Sequence, residues 1–166
     1  MVNIRDVKLD DAKDILEIYK HYILNTAITF EITVPSLEEF EQRIKTISSS
    51  DPYLVLTLDK KLIGYAYAQT YKGREAYKYS KEISIYLDNN YTKNGYGALL
   101  YNELEKRLKD NNVTNLYSCI TVLDDSNSIP FHEHLGFNEV GRFHKCGYKF
   151  NNWYDIVWME KIINKH

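Results

Sequence analysis

One stretch of this chain restricts its fold more than any other. It runs Glu82-Ile83-Ser84-Ile85-Tyr86-Leu87, then Lys93-Asn94-Gly95-Tyr96-Gly97-Ala98, then Leu99, Leu100, Leu104 and Leu108 at helical spacing. Strand alternation puts Glu82, Ser84 and Tyr86 on one face and Ile83, Ile85 and Leu87 on the other. The glycines let backbone N–H groups approach a ligand closely, and a helix N-terminus adds partial positive charge. A strand, a glycine turn and an amphipathic helix in this order demand a sheet with a helix on its face, and the turn suits a pyrophosphate. It is not a Walker loop, because no Gly-Lys-Ser/Thr follows. It also lacks the three spaced glycines of the dinucleotide fingerprint. Read from the residues alone, a plain turn and helix cap remains an equal alternative.

The rest of the chain fits around this unit. Residues 2–7 alternate and predict a short strand. From Asp10, the spacing of Ala12, Ile15, Leu16, Tyr19, Tyr22 and Ile23 predicts a helix. Ser36 and Glu39 form a capping box ahead of the stripe Leu37, Phe40, Ile44 and Ile47. Residues 25–35 between these helices read as a polar-aromatic loop. Strands are expected at 53–58 and 62–70, joined by the turn Asp59-Lys60-Lys61 as a hairpin, and at 80–87. The glycine turn opens a helix to about Lys109, and 114–122 is a strand. The cluster Asp124-Asp125-Ser126 starts a short helix ending at Gly136, where glycine suits a left-handed helix stop. Strands around 137–140 and 153–161 close the chain. No linker, repeat or low-complexity segment interrupts this order, so residues 1–166 read as one domain. The mixture of elements implies a mostly antiparallel sheet flanked by helices, an α+β (α/β layered) class.

Composition narrows the function. At 166 residues the chain can bury a sizeable core, and 44% hydrophobic with 27% charged residues is ordinary for a globular protein. The net charge of −2 and the absence of any basic block beyond Lys60-Lys61 argue against nucleic acid as a partner. Apolar runs of a few residues argue against a membrane span, and the first residues have no signal or transit character. Cys119 and Cys146 are too few for a disulfide framework, so a cytoplasmic setting is expected. The 15 tyrosines are the compositional excess, each with an apolar body and a polar tip.

Two further residues stand out. Glu82 is a carboxylate in an otherwise apolar strand, which reads either as a solvated face or as a proton acceptor. His132 lies in Ser128-Ile129-Pro130-Phe131-His132-Glu133-His134-Leu135-Gly136-Phe137. His132 and His134 do not share a helix face and make a poor metal pair, so no metal site is expected. No Gly-x-Ser-x-Gly elbow is present for hydrolase chemistry.

Taken in order, these segments resemble the GNAT acetyltransferases over nearly the whole chain. They are most similar to the phosphinothricin and methionine sulfone/sulfoximine N-acetyltransferase group. The likeness is carried by Thr29-Phe30-Glu31, Gly64-Tyr65-Ala66-Tyr67-Ala68, Arg74-Glu75-Ala76-Tyr77, Glu82 to Tyr86, Gly147-Tyr148-Lys149 and Trp153-Tyr154-Asp155. The resemblance implies the GNAT acyl-CoA N-acyltransferase fold, acetyl-CoA as cosubstrate, a small amino-acid-like amine as acceptor, and a homodimer. In such enzymes the backbone of Ile85, Tyr86 and Leu87 pairs with the pantetheine arm. Lys93, Asn94, Gly95, Tyr96, Gly97 and Ala98 would cradle the pyrophosphate, with Asp125 at a further cofactor position. Glu82 matches the general base, and His132 a residue that protonates the departing thiolate or helps bind substrate. Phe30, Arg74 and Tyr77 fall on the acceptor side, where an Arg can grip a carboxylate or phosphinate.

Two positions depart from the group. Thr92 stands where an Arg or Gln opens the glycine turn, and Asp125 where an Asn is usual; an ionised carboxylate cannot donate to a cofactor carbonyl. Both departures bear on cofactor affinity. Alternatives are an acetyltransferase for a polyamine or peptide amine, which Arg74 and Lys149 near the site would disfavour, and a non-catalytic acyl-CoA or amino-acid sensor.

Overall fold

A computed structural model describes all 166 residues. The strands are β1 (Val2–Asp6), β2 (Tyr53–Leu58), β3 (Lys61–Thr70), β4 (Ser80–Leu87), β5 (Asn115–Thr121), β6 (Asn138–Lys149) and β7 (Asn152–Ile162). The helices are α1 (Ala12–Asn25), α2 (Leu37–Ser48), α3 (Tyr96–Asp110) and α4 (Ser128–His134). The strands form one sheet in the order β1-β2-β3-β4-β5-β7-β6, antiparallel throughout except between β4 and β5.

Side-chain alternation divides the core between the two faces of the sheet. On one face Leu54, Leu56, Ile63, Ile83, Leu116, Val157 and Met159 pack with Leu100, Leu104 and Leu108 of α3. On the other, Tyr53, Val55 and Tyr65 meet Ile15, Tyr19, Tyr22 and Ile23 of α1 and Phe40 and Ile44 of α2. β2 is covered on both sides, which explains why Tyr53 to Leu58 reads as a nearly continuous apolar run. Helix α2 starts as the sequence predicts at its N-cap, where the Ser36 hydroxyl accepts from the Glu39 N–H at 3.1 Å. The reciprocal half of the capping box does not form, because the Glu39 carboxylate bonds to Arg43 at 3.2 Å.

The sheet departs from a regular ladder at β4 and β5. These strands pair only at Ser80–Asn115, Lys81–Leu116 and Glu82–Tyr117. Beyond Glu82, β4 stays paired with β3 as far as Leu87, and β5 with β7 along its whole length. Each strand is held by its outer neighbour while their inner edges part, and a gap opens in the middle of the sheet.

The last two strands are longer than the sequence suggests. The expected strand at 137–140 extends to Lys149, and the closing strand runs from Asn152 to Ile162. Alternation fades after Val140 because β6 is an edge strand exposed along most of its length, so burial imposes no pattern on it. Register breaks at Glu139/Gly141 and Phe143/Gly147, with Lys145 at φ 47°, bend the hairpin back over the sheet.

Candidate active site

Glu82 stands at the last paired position before β4 and β5 separate, opposite Gln69 on β3 and Tyr117 on β5. It is half-buried and makes no hydrogen bond or ion pair within the chain. Burial without a partner disfavours the charged form, so its carboxyl titrates above the ordinary carboxylate value. Its neighbours on the same face are Ser84 and Tyr67, the latter within the electrostatic reach of Glu82.

The gap beside Glu82 is lined by Ile83, Ser84 and Ile85 of β4, Ser118 and Ile120 of β5, and His132 of α4. Two polar groups there lack ordinary company. The Ser118 hydroxyl is buried with no hydrogen-bond partner. The His132 Nδ1 donates to the Ser128 carbonyl at 2.8 Å, which leaves Nε2 as the free position. Burial lowers the His132 pKa, only partly offset by that bond, so the neutral imidazole with a bare Nε2 is the favoured form. Cys119, which the sequence gives no link to the site, lines the same gap beside Glu82. The surrounding protein and then the Glu82 charge push its thiol up to about 11, so it stays protonated and a poor nucleophile at neutral pH.

At the far end of β4 the glycine turn enters α3. Lys93 and Gly95 both take the left-handed conformation, at φ 65° and 81°, and Gly95 is the N-cap. No side chain caps this helix, and its first intrahelical bond is Leu99 N–H to Gly95 carbonyl at 3.2 Å. The N–H groups of Tyr96, Gly97 and Ala98 therefore have no backbone acceptor and are free for an anion. Gly97 has a second reason to be glycine: a Cβ there would lie 3.1 Å from the Phe131 ring, where α3 crosses α4. Thr92 and Lys93 are exposed at this turn, and Asp125 is exposed ahead of α4.

The opposite approach to Glu82 is framed by the loop between α1 and α2. Lys149 at the end of β6 is 3% exposed and donates to the Thr29 and Glu31 carbonyls at 2.9 and 2.8 Å. This corrects the reading of Lys149 as a charge offered to the acceptor, since its ammonium is spent on the loop backbone. Phe30, between those two carbonyls, rests against Gly147 and Tyr154 and remains 37% exposed, so it is not core. The Glu31 carboxylate is gripped by Arg43 at 2.7 Å and by the Tyr19 hydroxyl. Burial works against its charge, but these partners prevail and hold its pKa below the usual value. Arg74 is exposed with no bonded partner. Tyr77 joins an aromatic series that leads back to Glu82: Tyr77 to Tyr71 at 5.9 Å, then Tyr71 to Tyr117 at 4.6 Å.

The family model described as Acetyltransferase (GNAT) domain matches residues 4–158. The chain belongs to the GNAT acetyltransferase family. A phosphinothricin N-acetyltransferase from Alcaligenes faecalis is 32% identical over 97% of this chain and 82% of its own length. The L-methionine sulfoximine/L-methionine sulfone acetyltransferase of Pseudomonas aeruginosa is 25% identical over 95% of this chain and 92% of its own. Among solved structures, a GNAT superfamily phosphinothricin acetyltransferase from Sinorhizobium meliloti, in complex with AcCoA, superposes with a TM-score of 0.92. It shares 33% identity and covers 97% of this chain and 88% of its own.

In this GNAT domain the fold therefore gathers Glu82, His132, the β4 backbone and the glycine turn around one gap, with Phe30 and Tyr77 on the acceptor-facing side. Arg74 and Asp125 lie on the exposed rim without a contact that fixes them. Sequence reading missed Tyr71, Tyr117, Trp158, Ser118 and Cys119. Tyr117 and Cys119 had a signal, since they alternate on β5 and one directly opposes Glu82. Tyr71 and Trp158 had none, because they meet at 5.8 Å only through the pairing of distant strands. No group of three or more His, Cys, Asp or Glu is placed to hold a metal ion. No helix is long and apolar enough to cross a membrane.

Proposed function

We propose that this GNAT enzyme transfers acetyl from acetyl-CoA to the primary amine of a small amino-acid-like acceptor of the phosphinothricin, methionine sulfone or sulfoximine type, with Glu82 as general base. The observation that carries this reading is Glu82 itself: a half-buried carboxylate with no partner, at the point where the two central strands part. The residues present fit the cosubstrate. Its pyrophosphate has free N–H donors at Tyr96, Gly97 and Ala98, with Lys93 adjacent. The inner edge of β4 from Ile85 to Leu87 has no strand partner on the β5 side, and the buried Ser118 hydroxyl awaits one. When bound, acetyl-CoA supplies an activated acetyl thioester.

An amine acceptor is mostly protonated at neutral pH. Glu82, with its pKa raised by burial, removes that proton directly or through water and leaves the nitrogen lone pair free to attack. Phe30 and Tyr77 bound the acceptor, and Arg74 on the rim offers a guanidinium to its carboxylate. The neutral His132, with Nε2 free, binds or relays a proton rather than storing one. Transfer is direct, because the Cys119 thiol beside Glu82 is held protonated and is a poor candidate for a covalent acetyl carrier. We also propose that residues 1–166 act as one cytosolic domain, consistent with two free thiols, and that the enzyme is a homodimer. An apolar strip on the β6–β7 hairpin supports the dimer: Val140, Phe143, Tyr148, Phe150 and Trp153 are each more than half exposed.

Release of CoA thiol, measured with phosphinothricin, methionine sulfone, methionine sulfoximine, spermidine and a short peptide, tests this reading. Turnover on the first three that collapses in Glu82→Gln is expected. Turnover confined to spermidine or peptide would replace the acceptor, and full activity in Glu82→Gln would remove the base.

A further inference from the structure

A cleft of ≈ 820 Å³ opens between α2 and the sheet, next to Glu82. Its floor is made by Tyr53 on β2 and by Tyr65, Tyr67 and Gln69 on β3. Gln69 is the residue directly opposite Glu82, so the cleft begins one strand away from the proposed base. The tyrosine rings stack across the strands, Tyr53 on Tyr67 at 4.9 Å and Tyr65 beside Tyr67 at 6.3 Å. Side chains stand perpendicular to a sheet, so plates stacked this way turn their edges and hydroxyls up toward α2. Tyr53 and Tyr65 are only 3% and 1% exposed, line the cleft, and bond their hydroxyls to no other protein group. Buried polar groups are ordinarily satisfied, so two such hydroxyls point to a ligand.

The wall opposite sets the charge of that ligand. Arg43 pairs there with Glu31 at 2.7 Å and Glu39 at 3.2 Å, and Glu38 adds a third carboxylate. Three carboxylates disfavour an anionic group. The guanidinium, together with floor hydroxyls that burial keeps protonated as donors, disfavours a cation. What remains is a neutral group rich in acceptor oxygens. Diagonal neighbours on adjacent strands lie roughly 7–8 Å apart, so a side chain of methionine length reaches from an amine at Glu82 to the Tyr67 hydroxyl.

We infer that this cleft is the subsite for the distal end of the acceptor. It selects an uncharged, strongly dipolar group of the sulfone or sulfoximine kind over an anionic phosphinate and over a cationic amine. The inference rests on the reading of Glu82 as the base that receives the amine.

Steady-state kinetics with methionine sulfone, norleucine, phosphinothricin and spermidine, on wild type and on Tyr53→Phe, Tyr67→Phe and Gln69→Leu, test it. Wild type is expected to favour methionine sulfone in kcat/KM over the other three by about tenfold or more, as hydrogen-bond recognition allows. Each variant is expected to lower the sulfone-to-norleucine ratio by about three- to tenfold through KM, the effect of one lost hydrogen bond, with the KM for acetyl-CoA unmoved. Variants that depress all acceptors alike, or none, overturn the subsite. A wild-type preference for phosphinothricin or spermidine overturns the charge assignment. If Glu82→Gln stays active, the base reading fails while the ratio still reports on the cleft. If wild type acetylates none of the four, calorimetric titration of the CoA-bound enzyme with methionine sulfone decides: binding weakened by Tyr67→Phe supports the subsite, and no binding overturns it.

Discussion

Burial holds the Glu82 carboxyl above its ordinary pKa, and the cost falls on the folded state. A raised native pKa means that the folded protein binds more protons than the unfolded one as pH climbs past the unfolded value, so stability is lost over that rise. Glu82→Gln removes the penalty. Thermal melts are expected to show the variant above wild type at pH 7, with the gap closing once both states are protonated below about pH 4. The same substitution should lower kcat by roughly 10²–10⁴-fold, the usual worth of a positioned general base. An unchanged melting temperature together with lost activity would mean that the carboxylate is hydrated rather than desolvated. His132 shifts the other way: its native pKa is lowered, so its contribution is present above the ordinary histidine pKa and fades as pH falls through it.

At the scale of elements, the loop between α1 and α2 behaves as part of the hairpin more than of either helix. Lys149 reaches it from β6 with two charge-assisted hydrogen bonds, and the loop ring of Phe30 occupies the space that a side chain at position 147 would need. Gly147→Ala would bring a Cβ to 2.2 Å from Phe30, so the ring must leave its place. The expected result is a several-fold higher KM for the acceptor with the KM for acetyl-CoA unchanged, read from initial rates. Lys149→Met strands two loop carbonyls, and a loss of about 1–3 kcal/mol in urea unfolding is expected. At the other end of the site, Gly95 holds φ 81°, which costs an alanine roughly 1–2 kcal/mol. Gly95→Ala should therefore raise the KM for acetyl-CoA while sparing that for the acceptor. The opposite split in either variant would reverse the assignment of the two ends of the gap.

On the scale of the whole molecule, the hairpin formed by β6 and β7 is the least covered part of the sheet. Phe143 and Trp153 are 54% and 62% exposed, on an edge that nothing within the chain protects. Sedimentation velocity is expected to give a dimer for wild type and a monomer for Phe143→Ser combined with Trp153→Ser. A monomeric wild type would leave this edge without the proposed partner. The Lys149 contact predicts that acceptor kinetics suffer in the monomer as well, since the hairpin and the acceptor loop are tied together.

Much of the fold was legible because burial writes itself into sequence as periodicity. The stripe of α1, the leucines of α3, the alternation of β4 and the unbroken apolar run of β2 each record the face that packs. The left-handed Gly95 at the head of α3 was legible for a related reason, since few residues other than glycine tolerate that backbone. Glu82 could be singled out as a carboxylate out of place in its strand. Where a side chain faces water, no such record exists, and β6 was accordingly read as ending about ten residues early. The parting of β4 and β5, the bare hydroxyls of Tyr53, Tyr65 and Ser118, the turn of Lys149 toward the Thr29 and Glu31 carbonyls, and the place of Cys119 beside Glu82 were decided by tertiary structure alone. Each depends on which residues distant in the chain meet across a sheet, and neither local propensity nor the pattern along one strand contains that information.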